Sequence, residues 1–150
     1  MIDFKLRSLE EDMEGLIFEF AIPPFKGDVR SETSKYLAEN AFGFIESIIY
    51  NNVPNYQNYG HWGITEVNKE QWFLIKSALI KLKQKVDKSA KLIELKNDLF
   101  DFKFIFDDDL QEVTKNFSKY KSFFSQMISD FITWIDENIH KHGSIYILGI

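Results

Sequence analysis

Ile2, Phe4 and Leu6 alternate with Asp3, Lys5 and Arg7, and Phe18, Phe20 and Ile22 alternate with Glu19 and Ala21. A period of two places alternate side chains on opposite faces of an extended chain, so both segments predict half-buried strands. The second ends at Pro23-Pro24, and residues 9–15 form the connection of a hairpin with a highly charged loop. The period then changes. Leu37, Ala41, Phe44, Ile45, Ile48 and Ile49 recur at helical spacing, which predicts a helix over residues 31–50, stopped by Asn51, Asn52 and Pro54. Residues 51–63, NNVPNYQNYGHWG, read as a loop rich in Asn, Tyr and Gly.

Asn68 with Gln71 three residues on is a capping-box pattern, and Trp72, Ile75, Leu79, Leu82 and Val86 come after it at spacings of three and four. This predicts a second helix, with Lys76, Lys81, Lys83 and Lys85 mostly off its apolar stripe. Residues 87–97 are ambiguous; Leu92 and Leu95 suit a last turn or a short extra helix. Phe100, Phe102, Phe104 and Phe106 alternate with Asp101, Lys103 and Ile105, which predicts a strand with four phenylalanines on one face. Asp107, Asp108 and Asp109 end it and can cap the next helix. That helix is long, expected over residues 109–141. Val113, Phe117, Tyr120, Phe124, Met127, Ile128, Phe131, Ile135 and Ile139 share its inner face, and Gly143 lies beyond it. The apolar run SIYILGI closes the chain as a strand buried in a sheet. The sum is a single α+β domain of about four mainly antiparallel strands, with three or so helices packed on one aromatic face.

Composition narrows the chemistry. The chain has 150 residues, of which 45% are hydrophobic and 15 are phenylalanine, enough for one core without staples. It has no cysteine, which excludes disulfides, thiolate metal sites and cysteine nucleophiles. The first residues lack the basic and apolar regions of a signal peptide, and the longest apolar runs are far shorter than the roughly 20 residues a spanning helix needs. The expected location is therefore the cytoplasm, with no membrane partner. The formal net charge of −5 disfavours nucleic acid and favours a basic partner. Charge is also blocked along the chain. Glu10, Glu11, Asp12 and Glu14 cluster early, six lysines fall between Lys76 and Lys91, and acids dominate residues 94–112.

No sequence pattern singles out a catalytic group. His140 and His142 are two residues apart and diverge on a helix, so they read as favourable charge at its C-terminus. The Asp107–Asp109 triplet lacks the spacing and glycine of a calcium loop. Glu46, Asp98 and Asp101 lie near apolar sequence, yet no carboxylate pair stands out among the 23 acids. There is no Gly-x-Ser-x-Gly elbow and no glycine-rich phosphate loop. No cofactor is implied. Recognition has better material: Tyr56, Tyr59, His61 and Trp62, set among Asn and Gly, match the residue set of binding surfaces, although such rings also fold back onto a core.

The opening MIDFKLRSLEEDMEG, the loop NYQNYGHWG and the terminal SIYILGI, in a small acidic α+β chain without cysteine, resemble the immunity proteins of bacterial polymorphic toxin systems, of the contact-dependent growth inhibition type. The resemblance implies a cytosolic antidote that binds a cognate toxin domain, often a nuclease, and occludes its active site. On that reading the contact residues are Glu10, Glu11, Asp12 and Glu14 on one loop and Tyr56, Tyr59, His61 and Trp62 on the other, joined by Asp107, Asp108 and Asp109. The rival readings are a small hydrolase or nuclease using clustered carboxylates and His61, and a structural or adaptor subunit with a large apolar patch.

Overall fold

The computed structural model describes residues 1–8, 15–23, 32–56 and 63–149. Four strands form one antiparallel sheet: β1 (Ile17–Ala21), β2 (Lys35–Ala38), β3 (Gly63–Asn68) and β4 (Ser144–Gly149), in the order β2-β1-β4-β3. The expected α+β domain is therefore present, and the closing apolar run lies inside the sheet. Five α-helices accompany the strands among the described residues: α1 (Glu39–Phe42), α2 (Glu46–Asn52), α3 (Lys69–Lys88), α4 (Asp107–Lys115) and α5 (Phe117–Ile139). Two 3-10 turns, Leu92–Leu95 and Phe100–Phe102, stand between α3 and α4.

The period of 3.6 is obeyed where helices are amphipathic. In α3 the residues Trp72, Ile75, Leu79, Leu82 and Val86 are all buried, and Asn68 and Gln71 form the reciprocal capping box. The Trp72 indole Nε1 donates to the Ile145 carbonyl at 3.1 Å, tying α3 to β4. The nine-residue stripe from Val113 to Ile139 is likewise buried, but on two helices, because the backbone leaves helical geometry at Asn116. Phe20 meets Phe131 of α5 at 4.6 Å between ring centroids, and Phe18 stacks on Phe42 of α1 at 3.9 Å. The core thus lies between one sheet face and the helices. No helix among the described residues is long and apolar enough to cross a membrane.

Three sequence expectations need correction. Residues 2–6 do not pair with β1 as a hairpin. Ile2 and Phe4 are buried, but the segment runs as an extended strap that, among the described residues, pairs by a bridge between Arg7 and Tyr36 of β2. Phe4 instead packs between Phe44, Tyr120 and Phe124, with centroids 5.0–5.8 Å away. The alternation was real; its reward is aromatic packing rather than a ladder. The region read as one helix over residues 31–50 holds β2, α1 and α2. Every residue from Ala41 to Ile49 is buried, so there is no polar face to fix the period.

The third correction bears on function. Residues 100–106 are not a strand: they form a 3-10 turn and the bends after it. The buried positions are Leu99 and Ile105, with Phe102 packed partly against the core, a spacing of three that suits 3-10 geometry. Leu92 and Leu95, three residues apart and with Leu95 four before Leu99, are buried as well. The period-two phenylalanines were the more conspicuous signal, but Phe100 and Phe106 remain 41% and 48% exposed.

Candidate functional site

The turn after Leu99 adopts an uncommon backbone. Phe100, Asp101 and Phe102 have φ of 53°, 55° and 60°, three consecutive non-glycine residues in the left-handed region. That geometry costs about 1–2 kcal/mol per residue for L-amino acids. Burial of Leu99 on one side and Ile105 on the other holds it. Gly43, in the turn between α1 and α2, supplies the room, since a β-carbon there would lie 2.7 Å from the carbonyl oxygen of Phe104.

The result is a group of aromatic rings in which Tyr50 and Phe100 are exposed and Phe104 is half-buried. Tyr50, at 46% exposure on α2, lies 6.1 Å from Phe100 and 5.4 Å from Phe104, and Phe100 stacks on Phe104 at 6.3 Å. The Lys103 ammonium stands 6.0 Å from the Tyr50 ring and 5.6 Å from the Phe100 ring. Carboxylates border the rings in sequence. Asp101, Asp107 and Asp108 are exposed and Asp109 is half-buried, the last three forming the first turn of α4. The N-cap of α4 is Phe106, so the triplet does not cap by side-chain hydrogen bond; its charge sits where the helix dipole favours it. Burial first, then Glu112 and Asp108, push the Asp109 carboxyl above the usual carboxylate range.

The remaining residues named from sequence are placed differently. Tyr56 is half-buried against the core, and its hydroxyl donates to Glu46 Oε1 at 2.6 Å. Burial first, and Glu46 second, push its phenol well above the ordinary tyrosine range. Its ring is thus turned inward rather than presented. Glu10, Glu11, Asp12 and Glu14, and Tyr59, His61 and Trp62, lie outside the described residues. His140 follows α5 with Nε2 3.9 Å from Asp136, in keeping with a helix C-terminus.

Among the described residues two carboxylates are wholly buried. Glu46 receives Tyr56, and Glu19 receives the Tyr36 hydroxyl at 3.0 Å from the facing position on β2. Each is held by a tyrosine donor within the fold. Among the described residues no three His, Asp or Glu side chains gather as a group able to hold a metal ion. The Tyr50–Phe100–Phe104 cluster was missed in the sequence, although the spacing of three between Leu99, Phe102 and Ile105 carried the signal: it takes Phe100 out of the core.

Comparison with protein families, curated proteins and solved structures finds no match to this chain.

Proposed function

We propose that the protein is an immunity-type inhibitor, a cytoplasmic antidote that binds the toxin domain of a cognate bacterial effector and occludes its active site. The observation that carries this reading is the aromatic cluster of the exposed Tyr50 and Phe100 with the half-buried Phe104, on a segment that also presents the carboxylates of Asp101, Asp107 and Asp108. Aromatic rings supply most of the energy of protein interfaces, and a charged rim sets orientation and on-rate. A rigid, strained turn that holds rings outward limits the ordering cost of binding. The acidic rim suits the cationic groove of a nuclease, the toxin class the charge favours.

The test is co-expression with the toxic domain encoded beside the protein's gene, followed by titration of the purified pair. The reading predicts protection of growth and loss of toxin activity at one-to-one stoichiometry, with both weakened by Phe100→Ser. Full toxin activity in a stoichiometric excess of folded wild-type chain would reject it.

A further inference from the structure

A groove of about 420 Å³ runs between α2 and α3. Its walls carry Lys81, Lys85 and Lys88 from α3, Asn51 from the end of α2, and Asp98 from the turn that leads to Phe100. The lysines are spaced by four and by three, which puts them on one helix face. Lys85 is paired with Asp98. Among the described residues no carboxylate reaches ion-pair distance of Lys81 or Lys88. Two uncompensated ammonium groups therefore share a concavity floored by Ile48, Ala78 and Leu82 in a protein whose net charge is −5. A concave wall of low dielectric focuses their potential. The groove and the ring cluster share their supports: Tyr50 immediately precedes Asn51, and Phe100 follows Asp98 by two residues.

We infer that this groove takes an acidic peptide segment of the protein partner, two of whose carboxylates lie on Lys81 and Lys88 while a neighbouring apolar side chain rests on the Tyr50 and Phe100 rings. A nucleic-acid strand carries its charge at every nucleotide, whereas the groove offers two unpaired ammonium groups in a chain of net charge −5. A peptide can confine its charge to the groove. The inference deepens the inhibitor reading and rests on it for the partner. It adds that the partner's surface is bipolar, with a basic area against the first turn of α4 and an acidic segment against α3, which fixes the register of docking.

The probe is a fluorescent Asp-Glu-Phe-Glu-Asp peptide, followed by anisotropy, with an oligothymidylate as the nucleic-acid comparison. The peptide is expected to bind wild type at low ionic strength and to be released at about 1 M salt, where the Debye length is roughly 3 Å. The Lys81→Glu/Lys88→Glu variant should lose at least about tenfold in affinity, the sum of two modest ion pairs. Replacing the peptide's Phe by Ala should also weaken binding, and Lys141→Glu, on the exposed turn after α5, should not. These substitutions sit on exposed positions, and an unchanged unfolding curve checks the fold. Equal binding by the double variant, no binding by wild type, or tighter binding of the oligothymidylate would each overturn the inference. A chain that neutralises the toxin but ignores the peptide retires the groove alone. One that binds the peptide but leaves the toxin active retires the inhibitor reading.

Discussion

Gly43 has no side chain, and the Phe104 carbonyl occupies the space one would need. Gly43→Ala would set a methyl 2.7 Å from that oxygen, against backbone that cannot swing away like a flexible side chain. Overpacking of this kind costs about 1–3 kcal/mol. The expected outcome is that loss on urea unfolding, together with altered fluorescence of Tyr50 as the neighbouring Phe104 segment is displaced. Tyr56 makes a second prediction at this scale. Its folded phenol pKa is raised, so the stabilisation is complete below the unfolded value of about 10 and is lost as pH rises above it. Tyr56→Phe should lower stability by about 1 kcal/mol near neutrality, the net value of one hydrogen bond, and flatten the decline above about pH 10. Unfolding curves of both proteins across that range check the sign. Neither role could be read from sequence: Gly43 and Phe104 are far apart in the chain, and the partner of Tyr56 is a glutamate one helix away.

The elements differ in how well they announced themselves. α3 and the α4–α5 stripe were legible because each has one wet face and one dry face, so the spacing of apolar residues reports the period. β4 was legible for the opposite reason, as a short apolar run with β-branched residues between turn signals. The segment over residues 31–50 was not, since continuous burial erases the phase. Residues 100–106 misled because exposed phenylalanines were counted as core. In the structure the apolar residues that face inward are Leu99, Phe102 and Ile105, and the turn reaches this arrangement through three left-handed residues. Its strain gives a prediction: Asp101→Gly relieves one left-handed position and should raise stability by about 1 kcal/mol in thermal or urea unfolding. A loss of similar size would mean that the Asp101 side chain, not its backbone, holds the turn.

Across the whole molecule, charge is sorted by place. Asp101, Asp107 and Asp108 are exposed on and just after the segment that carries Phe100 and Phe104, and Lys81, Lys85 and Lys88 line the groove between α2 and α3, although the sum is −5. The sequence showed these blocks as successive runs, but only folding joins the lysines of α3 with Asn51 of α2 and Asp98 in one groove. Of the two loops expected from sequence, the acidic one lies outside the described residues and Tyr56 of the aromatic one is drawn inward, while the Asp107–Asp109 triplet that joined them forms the first turn of α4. Exposed charge of one sign acts mainly on association rate. Asp107→Lys/Asp108→Lys should therefore slow capture of a basic toxin domain by roughly tenfold at low salt, with the difference shrinking as ionic strength rises. Stopped-flow association at two salt concentrations measures it, and a slope unchanged by the substitutions would remove the acidic rim from the docking surface.

The most direct test of where the partner docks is hydrogen–deuterium exchange of the chain alone and in complex with the toxin domain. Docking on the aromatic cluster predicts new protection over residues 98–109 and the end of α2, where Tyr50 lies, with the sheet core unchanged. Protection confined to other surfaces, with residues 98–109 exchanging as in the isolated chain, would contradict it.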